Sequence, residues 1–387
     1  MDRTGDPIAT AAADLVGDLA RQARRLVAAA AGGGSGAIAA LAGTPGASAV
    51  FVEGLVPHAR EAVDRLLGGP QESYCSSRAA RRLAMRAWSQ ARLLGADAGA
   101  AVGAAATGSL ATTRPKQGHH RVVVAVQTAS TTLVRELRLA KGSRDRSAEE
   151  QVAAWVLLEA IRVACGSRDA GADGRLLADE RVVETRIDAP PAWRELLAGT
   201  RSAVHAADGS APGARTGRLV FPGSFDPLHE GHRGMAAVAE SLVARPVEYE
   251  LSIANVDKPP LDFIEIANRA DALREHSLWI TRAATFLEKV AVFPDAFFVL
   301  GADTFTRLWD RRYYGGSARA ADEAVSRIAA GVAGLVVFGR VRDGRFADPS
   351  AGAVPESLRA VSRFVPEETF RCDLSSTQIR RTSNAGE

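Results

Sequence analysis

Apolar and polar positions fall into two strand-and-helix series separated by a short polar stretch. In the first series, "IATAAADLVGDLARQARRLVAAAA" reads as one helix that ends at the glycines Gly32 to Gly34. "SSRAARRLAMRAWSQARLL" reads as an amphipathic helix with its arginines on the wet face. "HRVVVAVQTA" is a β-branched run typical of a buried strand. "SAEEQVAAWVLLEAIRVACG" opens with Ser147 and Glu150 at capping-box spacing and closes on Cys165-Gly166. Strands alternating with helices predict an α/β domain over residues 1–202. "AVHAADGSAPGARTG" is small, polar and Pro/Gly-bearing, so residues 203–216 read as a linker. Beyond it, "RLVF", "EYELSIANV", "AFFVLGAD" and "GLVVFGR" are strand-like, with helical stretches at "GMAAVAESLVA", around Ile266 to Leu287 and around Ala318 to Ala330. That order predicts a second α/β domain over residues 217–387, a doubly wound parallel sheet. Ligands of such sheets bind beyond the carboxyl ends of the strands.

Composition narrows the class. The chain of 387 residues is too long for one ordinary core, and its 47% hydrophobic and 24% charged content is that of a globular protein. Net charge is only +3, the lysines are Lys116, Lys141, Lys258 and Lys289 alone, and no basic block carries interleaved aromatics, so no nucleic-acid partner is expected. Cys75, Cys165 and Cys372 lie far apart, which excludes a zinc ribbon or disulfide framework and suits a reducing cytoplasm. The start carries Asp2 and Asp6 with no basic, apolar leader, so no signal peptide is expected. Leu26 to Val52 is uncharged, but it is mostly Ala, Gly and Ser with a proline and predicts a buried glycine-rich segment, with no membrane partner. Oligomeric state is open, a homo-oligomer included.

The densest chemistry is "FPGSFDPLHEGH", residues 221–232, at the carboxyl end of the first strand of the second domain. Gly223 allows close backbone approach, and Pro222 and Pro227 stiffen the loop. Gly231 opens a helix whose free N–H groups and dipole favour a phosphate, and His229 and His232 can direct N–H donors to the same point. Near the other end, "DLSSTQIRR" sets Ser375, Ser376 and Thr377 before a turn carrying Arg380 and Arg381, a second polyphosphate cradle. Duller readings stand beside these. The histidines could be surface residues or half of a zinc site, although no cysteine or third histidine is near in sequence. Asp303 could be a helix N-cap, Lys258 a solvated loop residue, and Trp279 and Trp309 packing residues that stack on no base.

Together the two motifs resemble H-x-G-H and I-S-S-T-x-x-R of the nucleotidyltransferase superfamily, and the domain resembles the nicotinamide/nicotinate mononucleotide adenylyltransferases from Arg218 to about Arg381, with Leu374 in place of the usual isoleucine. The resemblance implies a Rossmann-like nucleotidyltransferase fold. It implies His229, His232 and Arg380 as catalytic residues, and Pro222, Gly223, Ser224, Phe225, Gly231, Gly301, Asp303, Ser375, Ser376 and Thr377 around the nucleotide. "VLGADTF" is similar to the family's G-x-D element, and "ANVDKPP" with Lys258, followed by Arg269, to its acceptor-binding segment. The implied reaction joins AMP from ATP, carried with Mg²⁺, to a pyridine mononucleotide. Phosphopantetheine as acceptor, CTP as donor, or a non-catalytic pyridine-nucleotide sensor remain alternatives. The absence of GxxxxGK[ST] counts against a P-loop kinase.

In the first half, the segments "GGGSGAIAALAGTPGASAVFVEGLVPHAREAVDRLLG" and "ADAGAAVGAAATGSLATTRPKQGHHRVVVAVQT" resemble the CinA C-terminal family, which deamidates nicotinamide mononucleotide, over about Ala9 to Gly166. The family's reactive stretch would fall at Ala30 to Ser35, which reads "AAGGGS". Its nucleophilic serine would lie at Ala31, and a methyl group cannot attack an amide. Its tyrosine and lysine would be matched by His58 and Val63. The expectation is a degenerate deamidase-like domain that keeps a pocket for a pyridine mononucleotide, with Thr107, Ser109 and Arg114 as candidates to line it and Ser35 as a turn or cap residue.

Overall fold

The computed structural model describes residues 6–113, 116–167, 175–213, 215–342 and 345–372. The chain is mixed α/β and divides into two compact units, Met1–Ala198 with Asp257–Ile264, and Gly199–Val256 with Glu265–Glu387.

The first unit contains α1 (Pro7–Arg21), β1 (Arg25–Ala31), α2 (Ser35–Gly43), β2 (Phe51–Leu55), α3 (Arg60–Leu67), α4 (Ser77–Leu93), β3 (Ala101–Ser109), β4 (His120–Gln127), β5 (Thr131–Leu139), α5 (Arg146–Ala164), β6 (Val182–Asp188) and α6 (Pro191–Ala198). Its sheet runs β2-β1-β3-β4-β5-β6. The first three strands pair in parallel and the rest antiparallel. Alternate residues feed opposite faces: Val102, Ala104 and Ala106 pack with α1, α2 and α5, while Ala105, Val123 and Ala125 pack with α3 and α4.

Three expectations are corrected here. The first helix stops at Arg21, Ala23 turns the chain at φ 52°, and Arg25–Ala31 is a strand. Leu26, Val27, Ala28, Ala29 and Ala30 are all at most 1% exposed, and that all-round burial suits a central parallel strand, not one face of a helix. The cap of α5 is Asp145, whose Oδ1 accepts from Ala148 N at 2.7 Å, and Ser147 lies inside the first turn. On α4, Arg81 points inward and is 6% exposed.

The second unit continues with β7 (Ala203–His205), β8 (Leu219–Pro222), α7 (Glu230–Val243), β9 (Val247–Ser252), the body of α8 (Phe263–Ala272), β10 (Leu278–Thr281), α9 (Phe286–Val292), β11 (Ala296–Gly301), α10 (Ala302–Arg307), α11 (Ala318–Gly331), β12 (Val332–Phe338), the hairpin β13 (Arg340–Arg342) and β14 (Arg345–Ala347), α12 (Glu356–Val361) and β15 (Ser362–Val365). The main sheet runs β15-β12-β11-β8-β9-β10-β7, all parallel except the edge strand β7. The chain starts at β8, winds outward through β9 and β10, then returns to β11 on the other side of β8. This reversal makes the carboxyl ends of β8 and β11 a topological switch point, where a crevice for a ligand opens in sheets of this kind.

Two stretches fold differently from their sequence pattern. The stretch read as a linker begins as β7, with Val204 fully buried against β10. The helical region around Ile266 to Leu287 is broken by β10, whose four residues are all buried. A buried strand that short has no period to read.

Candidate functional site

Beyond β8 the loop is built around an aromatic floor. Phe225 adopts φ 45°, which costs a bulky residue about 1–3 kcal/mol. The cost is offset by burial: the ring is 1% exposed and meets Phe221, Tyr249 and His232 edge to face at 5.5, 5.2 and 5.2 Å. Phe225, expected beside the nucleotide, therefore forms the support under His232. Arg269, expected to bind the acceptor, is 9% exposed and fastens the same loop. It donates to the Ser224 carbonyl (2.9 Å) and to Glu265 (2.7 and 3.0 Å), with Asp226 at 3.7 Å. Gly223 N bonds the Glu250 carbonyl at 2.9 Å, and Ser224 is exposed.

The two histidines are locked in one tautomer. His229 is the N-cap of α7, and its Nδ1 accepts from Gly231 N at 3.1 Å. His232 Nδ1 accepts from His229 N at 3.3 Å. Both Nδ1 atoms thus act as acceptors, which leaves Nε2 as the proton-bearing nitrogen of each neutral ring. The rings lie 3.9 Å apart, centroid to centroid. Burial, then the neighbouring His229, pushes His232 down to about 4. Burial lowers His229 too, with Glu230 opposing. The pair therefore offers two neutral N–H donors at neutral pH.

The sign of the pH effect follows. Below pH about 6.5 the unfolded chain protonates His232 while the folded chain resists until about pH 4, so folded stability should fall as pH drops through that window. A carbon-13 NMR titration of the imidazoles should show His232 still neutral at pH 6, and a midpoint near 6.5 would contradict the geometry.

The chain from the last strand returns to the same helix. A Cβ on Gly231 would lie 2.7 Å from Cys372 Sγ and 3.0 Å from the His229 ring, and one on Gly234 would lie 2.6 Å from Phe370. Phe370 also meets Phe338, the last residue of β12, at 5.3 Å. Cys372 is thus packed at the start of α7, three residues before Ser375 in the sequence. Ser375, Ser376, Thr377 and Arg380 lie outside the described residues.

At the neighbouring switch-point strand β11, Gly301 caps α10 and opens on free space, since a Cβ there would meet nothing within 4 Å. Asp303 is not the cap; it sits in the first turn, paired with Arg340. Pro222 ends β8. Lys258 is exposed and folds with the first unit. Trp279 packs: it is 4% exposed and donates Nε1 to Glu248 at 2.5 Å. Trp309 packs against Phe305 at 5.2 Å.

In the first unit, Ala31 ends β1, His58 is exposed, and Val63 is a core residue of α3. Ser35 opens α2, its Oγ donating to Glu150 Oε1 at 2.9 Å while Gly36 N reaches the same oxygen at 3.1 Å. That carboxylate caps α2, which makes Ser35 a helix-start residue. Thr107 is 0% exposed and donates to the Val123 carbonyl (3.4 Å), so its hydroxyl is absorbed by the sheet. Ser109 ends β3 half-buried, and Arg114 lies outside the described residues.

Among the described residues no cluster of His, Cys, Asp or Glu could hold a metal ion, and no helix is long and apolar enough to cross a membrane. Two features of the site were missed in the sequence: the loop-fastening role of Arg269 and the seat of Phe370 and Cys372 on α7. The second had a signal, the glycines at helical spacing in "GHRG" (Gly231 and Gly234), which mark a close neighbour.

Comparison with known proteins agrees with this architecture. Residues 220–382 match the cytidylyltransferase-like family and residues 9–162 match the CinA C-terminal domain. Over 196 residues the chain is 26% identical to a probable nicotinate-nucleotide adenylyltransferase of Chlorobium phaeobacteroides (strain BS1), covering 43% of this chain and 87% of the relative. Among solved structures it is similar to the competence/damage inducible protein CihA of Agrobacterium tumefaciens (21% identity, 43% of this chain and 100% of that one, TM-score 0.37). It is also similar to a CinA superfamily protein of Escherichia coli (20% identity, 43% and 95%, TM-score 0.32). The chain thus joins a CinA C-terminal domain, over residues 9–162, to a cytidylyltransferase-like domain of the nucleotidyltransferase type, over residues 220–382.

Proposed function

We propose that the second domain transfers AMP from MgATP to nicotinate or nicotinamide mononucleotide, releasing pyrophosphate. The observation that carries this reading is the paired, neutral His229 and His232 at the start of α7, each holding its proton on Nε2. The name and 26% identity of the Chlorobium relative support the choice of acceptor class.

The chemistry asks little of the protein beyond placement. A phosphate monoester has its second pKa near about 6, so near neutral pH it attacks without a general base. What remains is to align two anions and to stabilise charge growing on the leaving pyrophosphate. Two neutral donors at a helix N-terminus do this without the desolvation cost of a buried cation. His229 and His232 hold the α- and β-phosphate oxygens, while Arg380, with Ser376 and Thr377, meets the β- and γ-phosphates. Gly301 leaves room beside them for the nucleoside. Magnesium arrives with the triphosphate, bound mainly by phosphate oxygens and water. The first domain, with Ala31 where the family's nucleophile would stand, keeps its fold without deamidation.

The test is pyrophosphate release from ATP or CTP with a panel of phosphate acceptors. The reading expects turnover with ATP and a pyridine mononucleotide, and a loss of about 10²–10³-fold in Arg380→Ala, the scale of one lost transition-state charge contact. Turnover confined to CTP, or to phosphopantetheine, would replace it.

A further inference from the structure

The two large sheets have four edges, and three of them are guarded against pairing with another chain. β7 and β15 are only three and four residues long, and β2 shifts register against β1 between Leu26 and Val27. The fourth edge, β6, has no such guard. It runs seven residues, Val182–Asp188, without glycine, proline or lysine, and keeps an unbroken antiparallel register with β5. Among the described residues, β6 makes no backbone–backbone hydrogen bond beyond its pairing with β5. Val183, Glu184, Thr185, Arg186 and Asp188 are exposed, Val183 by 63%. Such a strand is a template for one more strand.

The order of its residues says which strand fits. Val183-Glu184-Thr185-Arg186-Ile187 is its own complement about Thr185. Laid antiparallel against a second β6 with Thr185 opposite Thr185, Glu184 of each copy faces Arg186 of the other, twice in the pair. Each Val183 faces Ile187 of the other copy, and the threonines pair on the axis. Opposite charges, branched apolar pairs and Thr–Thr pairs are the combinations that stabilise neighbouring strands. Charged residues on an edge also serve to repel other strands, but only where pairing brings like charges together, and in this register none face each other. The added strand continues what the sheet has begun. Glu184 receives Arg135 of β5 at 2.8 Å, so Arg186 of the other copy would extend a row of alternating charge. Ile187 packs against the apolar cluster of Val63, Leu67 and Val134, and Val183 lies on that same face of β6, so each cluster would extend across the edge.

We propose that β6 pairs antiparallel with β6 of a second copy of this chain about a two-fold axis at Thr185, joining two six-stranded sheets into one of twelve strands. The pairing is independent of the transfer reading. It gives the first domain a task, dimer formation, that requires no catalysis of its own.

The experiment is sedimentation velocity of the full-length protein from about 1 to 50 µM. The wild type should run at twice the 40.7 kDa of one chain. Arg186→Glu sets carboxylates opposite each other at both charge pairs and should raise the dimer Kd at least about tenfold. The swap Glu184→Arg/Arg186→Glu restores opposite charges and should recover most of that loss, which a merely damaged strand would not. Thr185→Cys serves if the charge variants do not fold. A short bismaleimide should link two copies through residue 185, identified by peptide mass spectrometry. It should not link Val183→Cys, whose two copies would stand about 13 Å apart in this register. A monomeric wild type would overturn the proposal, as would a dimer unaffected by Arg186→Glu or a swap as weak as the single variant. Failure to link through residue 185, or equal linking through 183, would overturn it as well.

Discussion

Replacing His232 with Ala should lower kcat/KM for dinucleotide formation by about 10²–10³-fold, the cost of removing one preorganised donor from a site of growing charge. The loss should fall mainly on kcat, because an interaction that strengthens as the pyrophosphate leaves contributes little to ground-state binding. The ring has structural neighbours as well: it accepts from His229 N at 3.3 Å and meets Phe225 at 5.2 Å. His232→Asn separates the two roles, since the carboxamide can accept from the backbone and still donate. It should recover about a tenth of wild-type activity or more if donation is what counts. The alanine variant should also lose part of the acid sensitivity of folding. A histidine held down to about 4 destabilises the fold between pH 6.5 and pH 4, and alanine carries no proton to lose or gain. Calorimetric melting at pH 5 and pH 7.5 measures the difference.

The second large effect is expected at Gly231. A methyl group there would meet Cys372 Sγ at 2.7 Å and the His229 ring at 3.0 Å, and neither neighbour is the loose end of a long side chain. Gly231→Ala should therefore push the chain at 370–372 off the start of α7, at a cost of about 1–3 kcal/mol for overpacking. The KM for MgATP should rise about tenfold, because Ser375, Ser376 and Arg380, proposed to meet the triphosphate, follow that chain in sequence. Gly231→Val should be worse on both counts. Cys372→Ala removes the offending sulfur, so the double variant Gly231→Ala/Cys372→Ala should regain much of the ATP affinity, a coupling that a double-mutant cycle measures. No coupling would mean that the contact is incidental to nucleotide binding.

The parts of this molecule that were legible in the sequence are those written in local pattern. The strand, loop and helix from Leu219 to Val243 could be read because a short apolar run, two prolines, two glycines and paired histidines all occur within one connection. The α5 helix was readable from its apolar periodicity, although its cap lies two residues before the expected serine. The failures are of a different physical kind. Poly-alanine in β1 carries high helix propensity, and only burial on both faces makes it a strand. Phe225 stands inside a ligand-like motif, yet its ring faces the core because a left-handed backbone turns it there. Arg269 was visible as a cation near the acceptor segment, but the loop groups that it fastens, the Ser224 carbonyl and Asp226, are more than 40 positions away in the chain. The partnership of Arg81 with Asp262 spans 181 positions and has no local signature at all.

The central claim is that a triphosphate lies across the start of α7, beside the chain that leads to Ser375 and Arg380. Cys372 is the built-in reporter, half-buried against Gly231, while Cys75 lies in the first unit and serves as an internal reference. The most direct measurement is the alkylation rate of each cysteine, read by peptide mass spectrometry with and without saturating MgATP. The account predicts that MgATP slows alkylation of Cys372 at least about fivefold, leaves Cys75 within about twofold, and loses this protection in His232→Ala/Arg380→Ala. Equal alkylation of Cys372 with and without the nucleotide would contradict it.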